Sequence, residues 1–307
     1  MLLLTYNQRP WVDDAVAACF AQECEPLDIV LSDDASTDGS FERLQQLAEN
    51  YCGPHKVRVR QNPRNLGIGQ HYSQAVADCL GQLIVTAAGD DISLPHRVQT
   101  LLAAWDATGG GVDLLSSHMI DMAYDGSLVG TIEVDDLSRW TSPEEWVRQR
   151  PYVVGAAHAF TRRVFDRFGS IAADVPYEDQ IMALRACCLG GGLTVPQPLL
   201  HYRRGGLSSA VVASGHDARR QHLIVKHQRQ LAVFRQVAND LTANGRADLC
   251  AGKVRRKWLQ SELILRLLQA NSWRERCQIA RAAEHVGPGW AWAQALRLPW
   301  PSDSEDR

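Results

Sequence analysis

The chain has 307 residues, 45% of them hydrophobic and 22% charged, with a formal net charge of -3 and a pI near 6.4. That composition supports a substantial core and argues against a disordered chain, and the charge balance gives no global reason to bind nucleic acid. No run of about 18 apolar residues occurs, so no spanning helix is expected, and three leucines ahead of Thr5, Tyr6 and Asn7 are too short a start for a signal peptide.

Leu2, Leu3 and Leu4 read as the tail of a first strand, with Thr5, Tyr6 and Asn7 in the loop after it. A helix follows from Pro10 to Gln22, where Val12, Val16 and Phe20 recur on one face. The second strand, Asp28 to Ser32, runs into the polar turn Asp33-Asp34-Ala35-Ser36-Thr37-Asp38-Gly39, whose serine and threonine are expected to cap the helix carrying Phe41, Leu44 and Leu47. Lys56 to Arg60 alternates valines with cations, as near a sheet edge. The turn cluster Asn62-Pro63-Arg64-Asn65-Leu66-Gly67 leads to a helix from Ile68 to Leu80.

The fourth strand, Leu83-Ile84-Val85, is an apolar run of the kind buried in a parallel sheet, and it ends in small residues followed by Asp90 and Asp91. Adjacent carboxylates repel and need a cation or strong donors to stay ionised together. A hard divalent metal carrying phosphate oxygens is the simplest such partner. An amphipathic helix through Val98, Leu101, Leu102 and Trp105 and a fifth strand from Val112 to Leu115 come next. Strands alternating with helices at this spacing predict an α/β fold with a doubly wound, mostly parallel sheet. Three polar clusters, Thr5-Tyr6-Asn7, Asp33-Asp34 and Asp90-Asp91, then fall at carboxyl ends of its strands, where such folds bind ligands.

The second half is less regular. Gly155 to Phe168 is expected to form a strand and a short helix, and Tyr177-Glu178-Asp179 opens a helix through Ile181, Leu184 and Cys188. Acids in a first helical turn are stabilised by the helix dipole, which would account for Glu178 and Asp179 without any chemistry. Leu199 to Ser209 reads as a strand running into a basic, glycine-containing loop, and from Asp217 the chain turns helical, broken at Gly245. Between Lys253 and Arg281 eight Lys/Arg face two acids, Glu262 and Glu275, with Trp258 and Trp273 interleaved. The plain reading is a solvated cationic face with the tryptophans in the core. The functional one is docking on an anionic membrane. The eight cysteines form no CxxC pair, which suits reduced thiols in a cytoplasmic protein.

Six strings in order, LLTYN (3–7), IVLSDDASTDGS (29–40), NPRNLGIG (62–69), AAGDDISLPHR (87–97), YEDQIMALR (177–185) and HYRRGGLSS (201–209), give the chain a resemblance to the family 2 glycosyltransferases. The resemblance runs across about the first two-thirds of the chain and implies a Rossmann-like, A-type glycosyltransferase domain over 1–210; the residues beyond it read as a helical extension over 211–300 and a disordered tail over 301–307. It implies inverting transfer of a sugar from a UDP-, dTDP- or GDP-linked donor to an acceptor hydroxyl. It further implies that Asp33 and Asp34 hold the nucleotide, that Thr5, Tyr6 and Asn7 line the base pocket, and that Arg64, Asn65 and Gly67 approach it. Asp90 and Asp91 match the acidic motif for Mn2+ or Mg2+. Ala88 and Gly89 stand where many members place another carboxylate. Asp179 would be the general base with Glu178 as runner-up, and His201, Arg203 and Arg204 would lie near the diphosphate, with Gly205 and Gly206 letting their loop close.

Members usually carry several residues before the first strand, so either that strand is short here or the natural start lies upstream of Met1. The acceptor expected from the resemblance is a glycan or lipid-linked glycan of bacterial surface polysaccharide synthesis, met at the cytoplasmic face of the inner membrane. Two other classes fit parts of the pattern: a catalytically silent nucleotide-binding member, and a phospho-acceptor signalling module with an acidic pair after a strand. Signalling modules of that kind are far shorter and leave Glu178 and Asp179 without a role.

Overall fold

A computed structural model describes residues 1–204, 215–283 and 286–299. The chain divides into two compact units, Met1–Ser209 and Ala210–Arg307.

In the first unit β1 (Leu2–Thr5), β2 (Asp28–Asp33), β3 (Lys56–Gln61) and β4 (Leu83–Ala88) alternate with α1 (Val12–Phe20), α2 (Ser40–Glu49) and α3 (Ile68–Asp78). These strands pair in parallel in the order β3, β2, β1, β4, and the cation-bearing strand β3 lies at the edge. Their apolar residues are buried: Leu3, Ile29, Leu31 and Val85 pack with Val16 of α1 and Leu44 of α2 in one core. One local expectation fails. The helix after Asp33 starts from Gly39 at φ 87° with no side-chain cap. Asp38 instead accepts from the Ser40 amide and hydroxyl, and Ser36 is spent on Asp33.

Beyond β4 the sheet is mixed. Short β5 (Ile92–Ser93) and α4 (Arg97–Ala107) precede β6 (Leu114–Met122), which starts two residues after Val112 and runs well past Leu115. β7 (Leu128–Ile132) is its antiparallel hairpin partner. After α5 (Pro143–Arg148), β8 (Ala159–Thr161) inserts antiparallel between β4 and β6. Helices α6 (Arg163–Phe168) and α7 (Asp179–Cys187) follow, then the long β9 (Gly192–Arg203), parallel to β6 and antiparallel to β5.

The second unit contains α8 (His216–Ala243), α9 (Lys253–Gln269), α10 (Trp273–Arg281) and α11 (Pro288–Arg297), with Leu263, Leu267, Ile279 and Ala291 in its core. Two residues of the cationic stretch reverse their expected places. Trp273 is 41% exposed, whereas Arg276 is fully buried. The Arg276 guanidinium donates to the carbonyls of Ala295, Leu298 and Pro299, at and just beyond the C-terminal end of α11. Carbonyl partners for the Nη donors offset part of the cost of burying the charge. No described helix is long and apolar enough to cross a membrane. Gly205, Gly206 and the tail 301–307 lie outside the described residues.

Candidate functional site

Register sets the first part of the site. Thr5 pairs with Asp33 and Asp33 with Gln61, so three polar residues end three neighbouring strands side by side. Asp33 and Asp34 are both buried. Asp33 Oδ1 accepts from the Ser36 amide at 2.9 Å and the Gln61 side chain at 3.1 Å. Asp34 takes the Asn62 side chain at 2.7 Å and the amides of Leu66 at 2.9 Å and Gly67 at 3.0 Å. It thereby ties the Asn62–Gly67 turn to the end of β2. Asn7, at φ 49°, accepts from the Thr37 amide at 2.9 Å and receives no help from Tyr6, whose amide turns to Gln8. Asn65 accepts the Gly67 amide within its own turn, and Arg64 is exposed beside it. Beneath, buried His71 shares a 2.8 Å hydrogen bond with Ser32, and burial pushes its imidazole down to about 4, so it is neutral. Thr5 Oγ1 is buried without a partner among the described residues.

The second part follows β4. Asp90 is half-buried and Asp91 is 4% exposed. Burial lifts the Asp90 carboxyl above its ordinary value, against its own amide, the Gln8 side chain and the Arg203 charge. Burial and then the Asp90 charge lift Asp91 well above its own, against the Arg203 amide and the charges of Arg97 and Arg203. Asp91 Oδ1 accepts the Arg203 amide at 2.8 Å, while Oδ2 is buried with no donor. Arg97, fully buried on Ser93 and the Ala156 carbonyl, is the positive charge below.

This donor set fits a divalent cation. Two carboxylates short of positive charge, one with an orphaned oxygen, would be relieved by it. Among the described residues no cluster of three or more His, Cys, Asp or Glu stands ready to enclose a metal, and His201 does not complete one. Magnesium-like ions commonly take one or two carboxylates and fill the remaining positions with water and phosphate oxygens.

Gly89 has a steric reason. A Cβ there would stand 2.6 Å from Gln8 Oε1 and 2.8 Å from Thr5 Oγ1, so the third carboxylate common in relatives of this motif cannot be accommodated at 89 without moving both. Gly89→Ala is expected to lower stability by about 1–3 kcal/mol, the usual cost of overpacking. Urea melts check this, and an unchanged midpoint would show that Gln8 and Thr5 yield freely.

The third part opens α7. Glu178 precedes the helix and Asp179 begins it. Glu178 Oε1 lies where a side chain on Gly155 would stand. Burial and the Asp179 charge push Glu178 up to about 7. Burial pushes Asp179 up to about 6, against a hydrogen bond from the Gln180 amide and the Arg150 charge. Tyr202 on β9 links the parts. Its phenol is pushed up to about 12, first by burial and then by the charges of Asp91, Asp90 and Asp179. Sequence reasoning passed over Tyr202, Gln8, Arg97 and Arg150. Only the position of Tyr202 between His201 and Arg203 hinted at it.

The motif arginines are engaged. Arg203 donates from Nε to the Asp90 carbonyl at 3.0 Å and from Nη1 to the Tyr124 carbonyl at 3.2 Å. Arg204 donates from Nε to nearly buried Asp121 at 2.6 Å. His201, half-buried in register with Ile92, has its pKa lowered by burial.

Comparisons with known proteins show the family and the fold. The model of the family described as glycosyl transferase family 2 matches residues 2–165. An uncharacterized glycosyltransferase of Nostoc sp. is 26% identical over 108 residues, 35% of this chain and 33% of that protein. The chain thus spans about a third of the length of the curated relatives it matches. Two solved structures align over 96% of this chain. Staphylococcus aureus TarS 1–349 in complex with UDP-GlcNAc has 14% identity, TM-score 0.54 and 87% of its chain covered. The Pyrobaculum calidifontis mannosyltransferase PcManGT in complex with GDP-Man and Mn2+ has 18% identity, TM-score 0.53 and 83% covered. At such identities the likeness speaks for the fold, a mixed sheet flanked by helices as in A-type transferases. With its family model covering more than half of the 307 residues, the strand-end carboxylates included, the chain belongs to family 2 of the glycosyl transferases.

Proposed function

We propose that the protein is an inverting, metal-assisted glycosyltransferase that moves a sugar from a nucleoside diphosphate to an acceptor hydroxyl. The observation that carries this reading is the placing of two acid pairs, Asp90-Asp91 just after β4 and Glu178-Asp179 at the start of α7, with Tyr202 of β9 close enough to Asp90, Asp91 and Asp179 to feel their charge. In one pair the carboxyls are lifted by burial despite the nearby Arg97 and Arg203 charges, and in the other they are tuned toward neutral pH. A leaving-group end and a proton-accepting end are what glycosyl transfer to a hydroxyl requires.

Asp33, Asp34, Thr5, Tyr6 and Asn7 form the nucleotide end, with Arg64, Asn65 and Gly67 at its rim. Asp34 acts there by holding the Asn62–Gly67 turn. Asp90 and Asp91 would hold Mn2+ or Mg2+, which when bound neutralises charge on the departing diphosphate. The complexes of TarS with UDP-GlcNAc and of PcManGT with GDP-Man and Mn2+ support a nucleotide-sugar donor and a metal for this chain too. Asp179 takes the proton of the acceptor hydroxyl as its oxygen attacks the anomeric carbon from the face opposite the diphosphate. Arg203 braces the Asp90 turn, and His201 and Arg204 stand toward the donor phosphates.

The acceptor on this reading is a glycan or lipid-linked glycan of bacterial surface polysaccharide, met at the cytoplasmic membrane face. The exposed cations Arg255, Arg256, Arg266 and Arg274 of the second unit support that location. A screen of UDP-, dTDP- and GDP-sugars against extracted native glycan, read by product analysis, tests the reading. Transfer from one donor with inverted anomeric configuration is expected. Binding of no nucleoside diphosphate and transfer from no donor would sink it.

A further inference from the structure

We propose that Trp11 and Tyr124 form a stacking platform for the apolar face of a sugar ring beside Asp90. The inference rests on the transferase reading and adds a substrate contact to it. Trp11 caps the start of α1 and Tyr124 lies in the β6–β7 turn, far apart in sequence. Their rings meet edge to face, with centroids 5.5 Å apart and planes at 89°. Tyr124 is 63% exposed and Trp11 half-buried.

A single exposed aromatic needs no explanation. This pair differs because it is fastened to the Asp90 turn. The Arg203 guanidinium carbon lies 5.9 Å from the Trp11 ring centre. The same side chain donates to the Tyr124 and Asp90 carbonyls, and its amide donates to Asp91. From the other side the Trp11 amide donates to the Gln8 carbonyl at 3.0 Å, and the Gln8 side chain bonds Asp90. Two connections, through Arg203 and through Gln8, therefore tie the aromatic pair to the turn that carries Asp90.

Sugar rings carry polarised C–H groups on one face and hydroxyls around the edge. An aromatic π-face is negative, so it attracts such C–H groups, and Tyr and Trp combine an apolar body with a polar tip. An edge-to-face pair leaves ring surface open for that contact. The sugar has two sources, the donor's transferred residue and the acceptor glycan, and the experiment separates them.

Trp11→Ala, Tyr124→Ala and Trp11→Phe are made in the full chain and checked by thermal melts. In the donor arm, calorimetry compares the nucleotide sugar with the bare nucleoside diphosphate. A donor contact lowers affinity for the nucleotide sugar about tenfold in the alanine variants and leaves the bare nucleotide unchanged. In the acceptor arm, an acceptor contact raises the acceptor KM about tenfold with both nucleotide affinities unchanged. Trp11→Phe, which keeps a π-face, stays close to wild type in either arm. If Trp11→Ala fails to fold, exposed Tyr124→Ala decides alone. The platform is overturned if neither arm moves, or if bare nucleotide affinity falls as far as that of the nucleotide sugar, since the pair would then only brace the Asp90 turn. A wild type that binds no nucleoside diphosphate overturns the transferase reading and the platform with it.

Discussion

Asp179→Asn lowers the rate of sugar transfer by about 10²–10⁴-fold, the usual contribution of a general base, while nucleoside diphosphate affinity stays near wild type. The reason is the division of the site: Asp179 opens α7, whereas the nucleotide end hangs on β1 and β2. Glu178 is the rival base, but its Oε1 lies against Gly155 and its carboxyl is pushed up to about 7, leaving it largely protonated below neutral pH. Glu178→Gln is accordingly the milder change. In wild type the transfer rate rises with pH through about 6, where Asp179 loses its proton, and this acid limb is missing from the residual activity of the Asn variant.

Linkage supplies a second readout. Asp179 has a folded-state pKa above its ordinary value, raised by burial. Such a group favours the folded state below its unfolded pKa, and that contribution is lost as pH rises through the folded value. At pH 8 the carboxylate is a cost, so Asp179→Asn melts higher than wild type there and not at pH 3. Full transfer activity in the variant eliminates Asp179 as base, whatever the melts show.

The parallel half of the fold was legible because its signals are local. Apolar strands, helical periodicity and polar strand ends each lie within a few residues, so β1 to β4 and their carboxylates could be placed from pattern. β8 could not. Three residues inserting antiparallel between β4 and β6 depend on partners far along the chain. The helix after Asp33 misled for a related reason: the turn's serines are good caps in isolation, yet Ser36 is claimed by Asp33 and Asn7. Burial of Arg97 and Arg276 contradicts local pattern altogether. Each relies in part on carbonyls or carboxylates supplied by segments well away in sequence. Tyr202 is the same kind of case, since its importance lies in facing acids from β4 and α7 that the sequence keeps far apart.

Asp90→Asn removes most of the metal-dependent part of nucleotide binding, whereas Asp91→Asn removes less. Wild-type affinity for the nucleoside diphosphate is expected to be higher with Mn2+ or Mg2+ than with chelator, and Asp90→Asn to weaken the metal-loaded complex by about 10–100-fold. The two aspartates differ in what they have left to give. Asp91 is 4% exposed and spends Oδ1 on the Arg203 amide. Asparagine in its place can keep that acceptor, so the β9 connection survives while the charge is lost. Asp90 is half-buried, and its carboxyl is met by its own amide and by the Gln8 side chain, which leaves it the more available ligand. Calorimetry of both variants with metal and with chelator separates the possibilities. A larger loss from Asp91→Asn would make the orphaned Oδ2 the principal ligand and reduce Asp90 to a neighbour that tunes it. Equal affinity with metal and with chelator in wild type would remove the cation from the site, and the raised carboxyls of Asp90 and Asp91 would then have to stay protonated to coexist.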